Sequence, residues 1–221
     1  MFCIIFLLFL LIIPFLQVIS NLLIPDHEAD AFISPSDPEI EPMLGDKIVN
    51  FLFGGLIRWD AQYFTHIAQY GYTHENTLAF FPLFPMIVRA IATVLHIPLK
   101  FICNYYSTVI IAAVVFNFLL FVKSSIILFK LGKEVLRNEA LAYRAAILFC
   151  INPASIFFTA PYSESLFSFL TFNALFINET RSTTLAAVPF GLASAARSNG
   201  LVNIGYILYH KLQDCSNYFF K

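Results

Sequence analysis

Residues 58–85, RWDAQYFTHIAQYGYTHENTLAFFPLFP, close the one long polar interval in an otherwise very apolar chain. They hold the only tryptophan, two of the five histidines and two acidic residues. At about 100° per residue, the first turns put Tyr63, Phe64, Ile67 and Ala68 on one apolar arc, with Gln62, Thr65, His66 and Gln69 opposite. Asp60 falls on the apolar arc, where a carboxylate is least expected on solvation grounds. The pattern predicts an amphipathic helix beginning near Asp60. It also makes Asp60 the first candidate for chemistry.

The surroundings are those of a membrane protein. The 221 residues are 59% hydrophobic and 12% charged, with 26 Phe and a mean hydropathy of +0.76. A soluble domain carries about twice that charged fraction. Composition therefore predicts an all-α polytopic membrane protein. From Pro25 to Phe80 nine acidic residues face two basic ones, whereas the remainder has five acidic and eleven basic. That asymmetry predicts an acidic loop on the non-cytosolic side and basic loops toward the cytosol.

Residues 2–24 are long and apolar enough for a first, retained span. Residues 25–79 form the large lumenal loop: Pro-rich and acidic up to Asp46, then a short membrane-skimming helix broken at Gly54-Gly55, then the W-D stretch. Residues 80–209 form a transmembrane bundle, with apolar windows at about 78–98, 105–122, 140–160, 165–178 and 184–209. Residues 210–221 are a short tail. This gives about six spans. Two crossings between the acidic loop and the basic segment at Lys123–Arg144 would leave both on one side. Either one window is re-entrant or residues 124–136 add a crossing.

Several function classes are excluded or weak. Cys3, Cys103, Cys150 and Cys215 are scattered, without disulfide or zinc spacing. There is no GxGxxG, P-loop or GxSxG motif and no basic patch for nucleic acid. Asn178-Glu179-Thr180 matches the glycosylation acceptor pattern close to apolar windows.

The polar residues left over carry the functional reading. Asp60 fits a helix N-cap by residue type, and its place on the apolar arc at the membrane edge fits a general base. Glu75 is a loop charge or a second carboxylate folded over the site. His66 and His74 read as surface or interfacial. Ser163 fits a cap for a helix starting at Glu164, or a ligand contact. Arg197 lies near the middle of the last window, where an unpaired cation is costly. Its partner is expected to be Glu164, Asp60 or a lipid phosphate. Arg89 can snorkel. Such a constellation fits an enzyme acting on a lipid-linked anion, and also a transporter.

Three blocks, residues 58–85, I151-N-P-A-S-I-F-F-T-A-P-Y-S-E-S-L-F167 and A196-R-S-N-G-L-V202, together resemble the GPI mannosyltransferase 2 family of the PIG-V type. The resemblance implies a multi-span GT-C glycosyltransferase of the endoplasmic reticulum membrane. It would transfer the second mannose, in α-1,6 linkage, from dolichyl-phosphate-mannose to the GPI-anchor precursor. It implies no nucleotide sugar and no cofactor beyond that lipid-linked donor, it assigns no metal-ligating residue, and it leaves room for a small membrane partner subunit. Asp60 matches the acidic residue of the first lumenal loop, Arg197 is the candidate for the donor phosphate, and Glu75, Glu164, Trp59 and Asn199 are candidate substrate contacts. Family members run on for roughly as long again, so the chain reads as an N-terminal portion, a truncated isoform or an incomplete gene model.

Overall fold

A computed structural model of the chain describes residues 15–21, 23, 32–35 and 41–219. Among these residues the structure is helical, with no strand. The expected first span at residues 2–24 lies mostly outside the described residues; its described stretch, residues 15–21, is helical and is called α1. There follow α2 (Leu44–Phe53), α3 (Asp60–Tyr70), α4 (Leu83–Leu99), α5 (Tyr105–Leu136), α6 (Glu139–Cys150), α7 (Glu164–Thr180), α8 (Thr183–Ala196) and α9 (Ile204–Phe219). The chain divides into two compact units, Met1–Leu119 with Pro153–Tyr162, and Leu120–Asn152 with Ser163–Lys221.

In the first unit, α2 ends where Gly54 and Gly55 break the helix, and a short 3-10 turn, Gly54–Leu56, leads toward α3. Val49, Leu56, Ile57, Ala61, Ile110 and Val114 gather around Ala160 and Tyr162 to form one buried core. The 153–162 segment is held there by polar bonds. Asn117, fully buried on α5, donates its amide protons to the carbonyls of Ala160 and Tyr162. At the start of α4, Pro82 occupies the N-cap and Pro85 sits in the first turn, where a missing amide proton costs nothing. Phe64 of α3 meets Phe80 and Phe84 edge-on, with ring centroids 5.1 and 5.2 Å apart.

In the second unit, α7 and α8 are joined by a two-residue turn at Arg181-Ser182 and pack side by side as a helical hairpin. Ser182 caps α8, its hydroxyl accepting from the Thr184 amide at 3.2 Å. Buried Ala174, Ala186 and Phe190 form one cluster, with partly buried Ile207 of α9 packed against it, and Ala193 and Ala196 are buried farther along α8. Small residues of this kind let helix backbones approach closely where lipid, not water, surrounds them.

Only α5, among the described residues, is long and apolar enough to cross a membrane. The shorter apolar helices α4 and α8 carry outward-facing Met86, Val94, Ile97 and Val188, each at least 65% exposed. At 32 residues α5 is about 48 Å long, well beyond the ~30 Å hydrocarbon layer. Residues 124–136 therefore continue one helix and are not a separate crossing. Two of the polar side chains inside it are satisfied locally, Ser124 donating to the Leu120 carbonyl at 2.8 Å and Thr108 to the Asn104 carbonyl at 3.2 Å. The window at 184–209 is not one span either, because α8 stops at Ala196 and α9 begins at Ile204.

Asn117→Leu should destabilise the first unit. It orphans two buried carbonyls at about 1–3 kcal/mol each. A thermal unfolding midpoint unchanged in detergent would contradict the role given to Asn117.

Candidate active site

The turn before α3 has an unusual backbone. Trp59 occupies the N-cap with φ 51° and ψ −122°, a conformation that L side chains rarely adopt. Strain of this kind costs about 1–3 kcal/mol and persists only where neighbouring contacts over-determine it. Those contacts are present on both sides of Trp59. The Tyr162 hydroxyl donates to the Arg58 carbonyl at 2.8 Å, and Gln62 Nε2 donates to the Ile57 carbonyl at 3.0 Å. Arg58 itself reaches Asn21 Oδ1 at 3.2 Å.

Asp60 is the first residue of α3, one position inside the helix, and its side chain makes no capping bond. The N-cap expectation is thus corrected. Asp60 is also exposed, and its carboxylate has no hydrogen-bond or ion-pair partner among the described residues. Its place at the helix end, beyond the packed turns, accounts for a carboxylate on an otherwise apolar azimuth. The free amides of the first turn favour negative charge there. Trp59, 67% exposed, stands beside it.

The middle of α3, from Phe64 to Ala68, is buried on both faces. Ala61, Phe64, Ile67 and Ala68 bury the apolar arc, and Thr65 and His66 bury the polar one. His66 is therefore not a surface residue. Its Nδ1 contacts Ser34 Oγ at 2.9 Å and its Nε2 contacts Thr73 Oγ1 at 2.7 Å, with Phe32, Tyr70 and His74 rings around it. At the far end Gly71 turns the chain with φ 83°, a value glycine adopts freely. Glu75, read as a loop charge or a carboxylate folded over the site, is exposed in a short 3-10 turn and has no side-chain partner among the described residues. His74 is exposed as well.

The second unit carries the cationic residue. Arg197 is not inside a helix but in extended backbone just after α8, with φ −156° and ψ 149°. Its Nη1 pairs with Glu164 Oε1 and donates to Ser163 Oγ at 3.4 Å. Of the three expected partners, Glu164 is the one the fold supplies. Ser163 holds the N-cap position of α7, yet its hydroxyl makes no cap bond and turns to Arg197 instead. Glu164 Oε2 is buried without a partner. Asn199 is exposed in the 3-10 turn Ser198–Asn203. Gly200 is required beside it: a Cβ there would lie 2.4 Å from the α8 backbone at Ala193 and Ser194. Asn178 of the acceptor sequon is buried within α7. Arg89 is exposed on α4.

No group of three or more His, Cys, Asp or Glu that could hold a metal ion occurs among the described residues. Cys103 and Cys150 are buried and form no disulfide, whereas Cys3 and the Cys215 side chain lie outside the described residues.

Residues 2–220 match the family model described as Mannosyltransferase (PIG-V). The chain belongs to the PIG-V mannosyltransferase family. It is 42% identical over 195 residues to "GPI alpha-1,6-mannosyltransferase 2" of Cricetulus griseus, covering 88% of this chain and 39% of that protein. It is 39% identical over 199 residues to the Homo sapiens protein of the same name, covering 90% and 40%. For "GPI mannosyltransferase 2" of Drosophila melanogaster the figures are 36% over 203 residues, 90% and 45%. The chain thus spans less than half the length of these curated relatives. No solved structure matches it. Periodicity singles out Asp60 in the sequence, and a cation within an apolar window singles out Arg197. What these signals missed was the strain at Trp59 and the Tyr162 brace, because a hydrogen bond across 104 positions leaves no local pattern.

Burial lowers the His66 pKa, and the nearby His74 charge lowers it further. The folded state thus favours neutral imidazole. Stability from this site is full above the unfolded value of about 6.5 and falls as pH drops from there toward the lowered folded value. Protection factors of the α3 amides, corrected for the pH dependence of intrinsic exchange, should fall between pH 7.5 and 5, and His66→Gln should flatten that dependence. An unchanged slope in the variant would exclude His66 as its source.

Proposed function

We propose that this chain carries the base and donor-phosphate elements of a GPI mannosyltransferase that adds the second mannose, in α-1,6 linkage, to the GPI-anchor precursor. The donor is dolichyl-phosphate-mannose, and the setting is a multi-pass GT-C enzyme of the endoplasmic reticulum membrane. Family membership and the names of the relatives support the reaction class. The observation within this chain that carries the reading is Asp60: an exposed, unpartnered carboxylate beside a strained turn that two hydrogen bonds hold in place.

In this mechanism Asp60 takes the proton from the acceptor 6-hydroxyl as that oxygen attacks C1 of the mannosyl group. The C1–O bond to phosphate breaks as the new glycosidic bond forms, and dolichyl phosphate departs from the opposite face with the electron pair. One displacement inverts a β-linked donor into an α-linked product. A fixed turn benefits this step because the base must stand within hydrogen-bond reach of the reacting hydroxyl. Trp59 and Glu75 supply neighbouring contacts to sugar.

Arg197 binds the donor phosphate. A guanidinium has five N–H donors; Nη1 is engaged by Glu164 and Ser163, and about a third of the side chain is exposed. Its remaining donors suit a phosphate oxygen through charge-assisted hydrogen bonds, and they stabilise the charge that grows on the leaving group. Glu164 holds the guanidinium in orientation, and Asn199 adds an exposed amide beside it.

Asp60→Asn in microsomes lacking the endogenous enzyme should lower transfer of labelled mannose about 10²–10⁴-fold, the usual yield of a general base. Full transfer by the variant would refute the base assignment. Arg197→Lys keeps the charge but loses the planar fork, so it should weaken use of the lipid-phosphate donor more than that of the acceptor. An unchanged donor dependence would refute the phosphate role.

A further inference from the structure

The polar face of α3 does not end at His66. Gln62 and Gln69 lie about 200° and 180° around the helix from Asp60, and both line a cavity of about 570 Å³ within the first unit. That volume falls within the usual range of about 300–1,000 Å³ for small-ligand sites. The cavity is bounded by α2, α3, the start of α5 and the Ile33–Pro35 segment. Nothing in the mechanism above uses it.

Its lining has a specific chemistry. Charges nearly cancel: one carboxylate, Asp46, and one ammonium, Lys47. Asp46 is already engaged, accepting from the Asn104 amide at 2.9 Å and the Met43 amide at 2.8 Å. Gln62 is engaged at both ends, from the Ser34 amide at 3.2 Å and to the Ile57 carbonyl at 3.0 Å, so it forms a rigid wall. The groups with capacity to spare are neutral donors and acceptors. Asn50 has no side-chain partner among the described residues. The Ser107 hydroxyl, in a residue only 5% exposed, likewise has none. Gln69 donates to the Tyr70 hydroxyl at 2.9 Å, which leaves the Gln69 carbonyl and the Tyr70 proton available. Tyr70, Tyr105 and Tyr106 add aromatic faces.

Amides and hydroxyls that both donate and accept, with tyrosine rings beside them and little net charge, match an uncharged polyol with an apolar face. An anion would want more cationic groups than Lys47, and the apolar Ile33, Pro35, Pro42, Val49 and Ile110 of the same lining suit the apolar face of a sugar ring. Tyr105 and Tyr106 also begin the one helix that, among the described residues, is long enough to cross a membrane, and tyrosine is enriched at the headgroup level of bilayers.

We propose that this cavity is a carbohydrate subsite for the sugar headgroup of a membrane glycolipid, on the face of α3 opposite Asp60. The proposal rests on the lining chemistry and is independent of the role given to Asp60. The test is saturation-transfer difference NMR on the full chain in a sugar-free detergent, with methyl α-mannoside and an octyl α-mannoside as probes. Both sugars should receive saturation at the ring protons. Asn50→Trp, which fills the rim, and Gln69→Ala should each reduce that signal at least five-fold, with the thermal midpoint of each variant confirming its fold. Asp60→Asn should leave it intact, which separates failure of this subsite from failure of the base assignment. Absence of saturation transfer, or signals untouched in both folded cavity variants, would overturn the site. Displacement of the mannoside by inorganic phosphate would overturn the neutral-sugar class in favour of an anion at Lys47. Octyl mannoside binding about ten-fold tighter than methyl mannoside supports a lipid-borne sugar, and equal affinity overturns that source in favour of a soluble one.

Discussion

The Tyr162 hydroxyl donates to the carbonyl oxygen of Arg58, and the first unit depends on that bond in two ways. It ties a segment from the middle of the sequence to a turn 104 positions earlier. It also braces Trp59, whose backbone would otherwise relax out of the left-handed half of conformational space. The brace is itself anchored, because Asn117 donates to the carbonyls of Ala160 and Tyr162. A chain of side-chain donors thus runs from α5 through the 153–162 segment to the residue before Trp59. The two Asn117 bonds are made in a buried setting, where loss of the donor would leave a carbonyl without water to replace it.

Burial of the middle of α3 on both faces follows from the same constraint. Its apolar arc packs into aromatic and aliphatic side chains, while its polar arc meets hydroxyls, a second imidazole and a cavity. A helix held all around has little freedom to roll. Asp60, one residue from the braced turn, therefore stands at a fixed place although it is itself exposed. Position without burial suits a group that must meet a substrate and exchange a proton with it.

The second unit handles charge differently. Arg197 and Glu164 are both partly buried and form one ion pair, with Ser163 as a further acceptor. Removing either partner would strand the other in a poorly solvated place, which is costlier than the pair's own net contribution. The break between α8 and α9 makes the pairing accessible. An Arg in the middle of a regular helix would direct its side chain according to the helical period, whereas extended backbone at Arg197 frees it from that period. Gly200 permits the break because it lies directly against the α8 backbone, with no room for a side chain.

Much of this was legible in the sequence. Composition dictated a helical, apolar chain, because so few charged residues cannot solvate a globular surface. The proline-aromatic run placed the start of α4, the glycine pair placed the end of α2, and periodicity placed α3 with Asp60 at its beginning. These are local signals, carried by backbone geometry within a few residues. Tertiary structure alone decided the rest: that His66 is enclosed, that Glu164 is the partner of Arg197, that the last apolar window is two helices, and that Tyr162 braces the turn at Trp59. The physical reason is common to all four. Hydropathy reports how much a residue prefers to leave water, but the identity of its neighbour depends on contacts between segments far apart in the chain.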